Sequence, residues 1–262
     1  MGSTVCWVRN MKEIRLHRYL SEMSALYSFY RHSEFAFNRG DLQNELCKTE
    51  FDRLCSAALP FLKDSLAPGS QVRDQFEDAV REKVEEEVRN GLATLRRQIL
   101  ETAHSIFEKF LCHVVRVYLH VFPEILKNID KTISFREVVE LKSDTAVFDC
   151  IVEKEISDFS RRSLQEKRDY LIKHLKLTHQ DDLWTDEGEE MWKDIDRKRQ
   201  AIVHREETPE VSHEYLLRAI NYLQRIMMGI SIYAQADQGV GLDWPVVSDF
   251  IERKPQPTLK AK

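Results

Sequence analysis

Glycine and proline are scarce in this chain, and that scarcity constrains the fold more than any other feature of the sequence. Only eight glycines and seven prolines occur among 262 residues. Sandwiches and barrels need such residues at frequent turns, and βαβ folds need glycine-rich loops after their strands. The sequence therefore predicts an all-α protein. At this length a folded chain buries about three quarters of its unfolded surface, so the fold does not need a disulfide or a metal to hold it together.

Apolar residues recur at spacings of three and four along most of the chain, as one buried helical face requires. The most apolar of these segments, Leu95–Phe122, is predicted to be the central helix and is stopped by Pro123. The pattern predicts the other helices over Lys12–His32, Asp41–Leu66 with a kink or break at Pro60, and around 135–141, 147–159 and 164–175.

Two further helices are predicted to close the fold after a polar loop at 178–190. One passes through Met191, Trp192 and Ile195 to Val203. The other begins at Thr208-Pro209-Glu210, because a capping Thr, a first-turn Pro and an early acid favour a helix start, and it ends near Gln235.

Composition shifts divide the chain into three predicted parts. Ala67-Pro68-Gly69-Ser70 is the strongest boundary in the first half, so residues 1–68 form an N-terminal helical region and residues 69–236 a helical domain. Residues 237–262 form a C-terminal segment whose basic tail, 254–262, is predicted to be disordered. The run 72–89 is dense in both signs of charge and predicts a solvated helix face.

Charge, cysteines and hydropathy exclude several classes of protein. The net charge of −5 excludes a broad basic surface of the kind that follows a nucleic-acid duplex, so any nucleic-acid contact must be local. The five cysteines include no C-x-x-C pair, which argues against a disulfide framework and fits a reducing cytoplasm. The first residues show no signal-peptide pattern, and no run of about 18 apolar residues predicts a membrane span.

The usual enzyme signatures are absent from the sequence. It contains no phosphate-binding G-x-x-x-x-G-K, no G-x-G-x-x-G, no H-E-x-x-H and no G-x-S-x-G. His104, His113 and His120 are nine and seven residues apart, which does not match the spacing of helical metal ligands. These histidines are predicted to lie in or beside the core, and neither a metal nor a cofactor is predicted.

One segment concentrates the residue types that RNA cleavage requires. Between Asp194 and Glu206 lie the side chains Arg197, Lys198, Arg199, His204 and Arg205. A metal-free cut in RNA needs a base for the 2′-hydroxyl proton and a cation for the phosphate. Imidazole titrates near neutral pH, and guanidinium stays charged and binds two phosphate oxygens at once.

Spacing alone does not identify this site, because Arg is followed by His after four to six residues at four places in the chain. The context is more specific. Ile195–His204, followed after a Pro-containing turn by Tyr215-Leu216 on a long apolar helix, resembles the HEPN family (higher eukaryotes and prokaryotes nucleotide-binding). Leu100–Leu111 is similar to the family's long first helix, and the resemblance covers 91–235 but nothing in the first 68 residues.

The resemblance implies a helical bundle, often dimeric, whose R-x4-6-H motif cleaves RNA without metal in active members. Here the motif falls on Arg199 and His204 as catalytic residues, with Arg197, Lys198 and Arg205 as RNA-binding residues. The resemblance further implies a homodimer, cleavage that leaves a 2′,3′-cyclic phosphate, a toxin-like or antiviral role, and a regulatory or antitoxin partner protein. Gln200 replaces the family's usual Asn, Asp or His, and the H-x-Y extension after His204 is absent.

Helix geometry leaves three interpretations of the motif open. Five residues along a helix rotate a side chain by about 140°, so Arg199 and His204 cannot share one face of a continuous helix. Either the helix ends near His204, or two chains contribute to one composite site. In the third interpretation Ala201, Ile202 and Val203 pack in the core, the basic residues are solvated, and His204 lies at the helix C-terminus, a favourable place for a cation. The alternative function is a non-catalytic HEPN module whose motif only binds nucleotide or a protein partner.

Overall fold

The computed structural model describes residues 12–62, 68–129, 132–141, 143–177, 185–204 and 208–243. Within these ranges the protein is an all-α helical bundle, which confirms the predicted fold class. The α-helices, in chain order, are α1 (Leu16–Phe37), α2 (Gly40–Leu62), α3 (Gln71–Val121), α4 (Phe135–Leu141), α5 (Asp144–Arg161), α6 (Leu164–Leu175), α7 (Asp186–His204) and α8 (His213–Gln238). A 3₁₀ helix, Pro123–Asn128, follows α3, and two short strands, β1 (Glu13–Ile14) and β2 (Gly241–Leu242), pair in parallel.

The 51-residue helix α3 is the axis of the fold, and its length corresponds to about 77 Å. Its N-terminus is capped by Ser70, whose hydroxyl accepts from the backbone N–H of Arg73. The charged run and the apolar segment, treated separately in the sequence, form one helix. Gly91 lies within it with open space where a Cβ would stand, and the cost of a helical glycine, about 1 kcal/mol, does not break the helix.

The main core forms around the C-terminal half of α3. Phe107 packs edge-on against Trp192 of α7 at 5.1 Å, and Phe110 packs edge-on against Tyr19 of α1 at 5.6 Å. Leu223 and Met227 of α8 are buried in the same cluster. Helix α1 therefore shares one core with α3, α7 and α8, although the division at residue 68 stays a prediction.

A second, smaller core lies between α2 and the N-terminal half of α3. It is formed by Phe51 and by α3 side chains spaced four residues apart, namely Val80, Val84, Val88 and Leu92. Ion pairs border this core: Arg73 pairs with Glu77 and lies over the Phe51 ring, and Lys83 pairs with Glu87 and with Glu50 of α2. The charged run is therefore amphipathic, because the valines bury one of its faces.

Helix α1 begins at Leu16 and not at the predicted Lys12. Residues Glu13 and Ile14 instead pair with β2, and Ile14 is fully buried. Gly241 permits this pairing, because a Cβ there would lie 2.8 Å from the Cγ of Glu13.

The boundaries of α7 and α8 also correct the sequence-based prediction. Residues 186–190, assigned to a loop, belong to α7, whose first turn is held by Thr185: its hydroxyl accepts from Gly188 N–H and its carbonyl from Glu189 N–H. Helix α8 begins at His213 and not at Thr208, because Ser212 is the residue that caps it, accepting from Tyr215 N–H. Residues 178–184 and the tail 254–262 lie outside the described residues.

No helix in the described part of the chain is long and apolar enough to span a membrane.

Candidate active site

Helix α7 carries both residues of the motif, and His204 is its last residue. The His204 side chain is exposed. Its Nε2 lies 3.2 Å from Oε1 of Gln200, one turn earlier, a distance at which a protonated Nε2 donates to the amide oxygen. Gln200, the position that departs from the family pattern, thus orients the imidazole.

Arg199 lies on the other side of α7 and faces α3. It is half-buried, and its Nε is enclosed without a hydrogen-bond partner among the described residues. The guanidinium acts electrostatically on His104, which is 1% exposed. Burial lowers the pKa of His104 below its ordinary value, because this effect and the charge of Arg199 outweigh the opposing charge of Glu108.

A group of polar side chains surrounds Arg199 inside the fold, and we call it the His104 cluster: His104, Glu108, Lys167, Asp196 and Arg199. Lys167, 1% exposed, donates to Glu108. Nδ1 of His104 lies 3.6 Å from Glu108, and Nε2 lies 3.8 Å from Asp196, so neither ring nitrogen makes a direct hydrogen bond to the described residues. The cluster fixes the charge environment of Arg199.

Two of the predicted RNA-binding residues, Arg197 and Lys198, have partners within the chain. Arg197 is exposed and pairs with Asp194. Nζ of Lys198 donates to the carbonyl of Glu210 at 2.9 Å and lies 4.9 Å from the centre of the Tyr215 ring. Lys198 thus ties α7 to the segment that leads into α8. Arg205 lies outside the described residues.

The structure does not bring Arg199 and His204 of one chain together. Both lie within α7, which ends at His204, and among the described residues no hydrogen bond links them. Between them Ala201 and Ile202 are half-buried, whereas Val203 is 41% exposed. The predicted packing of these three apolar residues is therefore incomplete, and an apolar side chain beside His204 faces solvent.

A second polar cluster, which the sequence did not reveal, joins α1, α3 and α8. The hydroxyl of Tyr30 lies 2.7 Å from Glu34, 2.8 Å from Nδ1 of His213 and 3.2 Å from Nε of Arg96. Arg96 also donates to Glu34 at 2.9 Å. Burial, together with the hydrogen bond to Glu34, raises the pKa of Tyr30 to about 12. The residues are 62 to 183 positions apart except for the Tyr30–Glu34 pair, so local motifs could not find them.

The three histidines of α3 occupy core or boundary positions, as the sequence predicts. His104 is buried, Nε2 of His113 accepts from Arg15 N–H at 3.1 Å, and His120 lies 3.3 Å from Asp149. In the described ranges, no group of three or more His, Cys, Asp or Glu side chains could hold a metal ion. Comparisons with protein family models, curated proteins and solved structures find no match to this chain.

Proposed function

We propose that the protein is a metal-independent endoribonuclease of the HEPN type, in which His204 transfers protons and Arg199 binds the scissile phosphate. The observation that carries this proposal is the difference in burial between the two motif residues, since His204 is exposed and Arg199 is half-buried. The imidazole of His204 is exposed at the end of α7, and Nε of Arg199 lacks a partner among the described residues. An exposed imidazole can reach a substrate, and Arg199, which is only half-buried and has no hydrogen-bonded acceptor at its Nε among the described residues, keeps part of its side chain open to a phosphate.

The proposed reaction uses only groups of the RNA and the protein. A neutral imidazole removes the proton of a 2′-hydroxyl, and the 2′-oxygen attacks the adjacent phosphorus. The bond to the 5′-oxygen breaks, and that oxygen takes up a proton from an imidazolium. The products are a 2′,3′-cyclic phosphate and a 5′-hydroxyl. Arg199 stabilises the added negative charge on the phosphate during the attack.

A homodimer solves the geometric problem that the single chain presents. Within one helix Arg199 and His204 point about 140° apart. A two-fold axis beside the C-terminal turn of α7 would place two copies of the motif at one interface, so that the His204 of one chain approaches the Arg199 of the other. The exposed Val203 supports this placement, because an apolar side chain beside the site gains by burial. A toxin-like or antiviral role, with a regulatory partner protein, belongs to the same proposal.

The test is RNA cleavage in the presence of a chelator. Purified wild-type protein and the variants His204→Ala and Arg199→Ala are incubated with a labelled single-stranded RNA. The proposal expects cleavage by the wild type and a loss of at least about 100-fold in each variant, the size typical of a missing acid–base or charge-stabilising group. His17→Ala, which removes an exposed imidazole on α1, is the matched control and retains activity.

A second candidate function is a non-catalytic module that binds nucleotide or a protein partner. The observation that favours it is the separation of Arg199 from His204 within the chain, together with the internal partners of Arg197 and Lys198. It predicts RNA or nucleotide binding that weakens in Arg199→Ala, without strand cleavage by any variant. Equal cleavage by wild type and His204→Ala excludes the endoribonuclease proposal.

A further inference from the structure

A pocket lies between the first turns of α7 and the exposed face of α8, at the far end of α7 from His204. Its volume is about 290 Å³. We call it the Arg218–Arg225 pocket, and its lining residues are Glu187, Gly188, Met191, Arg218, Asn221, Tyr222 and Arg225. This space is at the small end of ligand pockets, which suits one nucleotide unit better than a large cofactor.

Three polar side chains line one edge of the pocket from a single face of α8. Arg218, Asn221 and Arg225 are spaced by three and four residues, so they project in the same direction. All three are exposed, and neither arginine has an ion-pair partner within the described ranges. Arg225 lies over the Tyr222 ring at 5.7 Å, and two guanidinium groups about two turns apart can both reach one phosphate group.

Tyr222 forms an internal wall of the pocket and provides a buried polar atom. The residue is 6% exposed, and its hydroxyl has no hydrogen-bond partner among the residues that the structure describes. Gly188 lets the Tyr222 ring lie close to α7, because a Cβ there would lie 3.3 Å from the hydroxyl oxygen and 3.2 Å from a ring carbon. A buried hydroxyl without a partner costs free energy, which a polar ligand group in the pocket recovers.

The charges of the lining residues favour a phosphodiester over a free phosphate. Arg218 and Arg225 contribute two positive charges and Glu187 one negative charge, which leaves a net charge of +1. One internal phosphodiester of a nucleic acid carries a single negative charge. The amide of Asn221 both donates and accepts hydrogen bonds, so it can pair with the edge of a base.

Basic and aromatic side chains continue from the pocket toward the motif. Lys198 of the motif lies 4.9 Å from the centre of the Tyr215 ring, and Arg218, one turn further along α8 from Tyr215, lines the pocket. Burial and Asp194 raise the pKa of Tyr215, and the charges of Arg197 and Arg218 oppose that shift. Gly188 and His204 are 16 residues apart on α7, or about 24 Å, so a strand that reaches both spans several nucleotides.

We infer that the Arg218–Arg225 pocket binds one nucleotide of a single-stranded RNA whose scissile phosphate lies at the motif, so that it selects the sequence on one side of the cut. The two arginines bind the phosphodiester, and Asn221 and the Tyr222 hydroxyl bind the base or the ribose. This inference rests on the proposed endoribonuclease function.

The test separates RNA binding from cleavage by using the His204→Ala background. The affinity of a fluorescein-labelled 12-nucleotide single-stranded RNA is measured by anisotropy over a series of salt concentrations. Adding Arg218→Ala and Arg225→Ala weakens binding about 10- to 100-fold, the loss expected for charged hydrogen bonds. The slope of log K against log salt falls by about 0.7, which corresponds to one phosphate of a single strand. Arg161→Ala, on the exposed surface of α5, is the control and changes neither the RNA affinity nor the salt slope.

Asn221→Leu probes base recognition at the same site. It reduces the preference among four homopolymer RNAs while the salt slope stays unchanged. If the arginine variants bind all RNAs as the His204→Ala parent does, the pocket inference is overturned, and His204-dependent cleavage by the wild type still supports the proposed function. If the parent binds no RNA and the wild type cleaves none, the proposed function fails and the pocket inference fails with it.

Discussion

The ion pair between Glu108 and Lys167 gives the sharpest prediction about the scaffold beneath the motif. The two partners differ in burial: the Lys167 side chain is 2% exposed, whereas that of Glu108 is 27% exposed. Substitution of either residue removes the same ion pair. The cost should nevertheless differ, because the two substitutions leave different charges behind.

Glu108→Leu leaves a buried ammonium without its partner, which costs about 3–5 kcal/mol. Lys167→Met leaves a carboxylate that still contacts solvent, and Met refills most of the space of the lysine stem, so the cost is about 1 kcal/mol. In the double variant no buried charge remains, and its stability lies within about 1 kcal/mol of the wild type. The double-mutant cycle therefore shows a coupling of about 4–6 kcal/mol between the two residues.

Urea unfolding followed by circular dichroism at 222 nm measures these differences. In thermal unfolding followed at the same wavelength, Glu108→Leu lowers Tm by about 6–20 °C, because each kcal/mol corresponds to about 2–4 °C for a chain of this size. The reasoning is refuted if Lys167→Met is the more destabilising single variant, or if the two single costs simply add in the double variant.

Three further predictions follow from other parts of the structure. Burial lowers the pKa of His113 from 6.5 to about 4, so folding favours the neutral imidazole. The contribution of this group to the free energy of unfolding is fully present above pH 6.5, and about 3 kcal/mol of it is lost as the pH falls through 4. His113→Phe should therefore flatten the dependence of the urea midpoint on pH over that interval. Ser212→Ala removes the α8 cap and costs about 1 kcal/mol in the same unfolding assay, whereas Thr208→Ala, at the position that the sequence favoured, costs less than about 0.5 kcal/mol. A mixture of inactive Arg199→Ala and inactive His204→Ala chains regains RNA cleavage if each site draws on two chains, and no recovery in a mixture shown to exchange subunits contradicts the composite site.

Periodicity and composition predict the helices well where local patterns are strong. The scarcity of turn residues indicates the all-α class, and the spacing of apolar residues places α4 and α6 at their observed bounds. The errors fall where tertiary contacts decide. Thr208-Pro209 has the right local chemistry for a helix start, but Ser212 is the residue whose hydroxyl accepts from a free N–H in the first turn of α8, that of Tyr215. Gly188 suggested a loop, yet it lies in the first turn of α7, where Thr185 accepts from its N–H and the Tyr222 ring packs too closely for a Cβ.

The site is predictable from sequence only in its local part. The motif places Arg199 and His204 on one helix, and the structure shows that helix ending at His204. The surroundings of Arg199 depend on residues far apart in the chain: Glu108 and Lys167 are 59 positions apart, and no spacing rule connects them. Long-range polar contacts of this kind carry no periodic signal, which is why sequence patterns could not reveal them.

The chemical nature of the cleaved ends tests the central claim most directly. Wild-type protein is incubated with a defined single-stranded RNA in chelator, and the products are identified by mass spectrometry. The account predicts fragments with a 2′,3′-cyclic phosphate and a 5′-hydroxyl, because the 2′-oxygen is the nucleophile, and it predicts none of them with His204→Ala. Fragments that carry a 5′-phosphate and a 3′-hydroxyl, or the same cyclic products from His204→Ala, would contradict it.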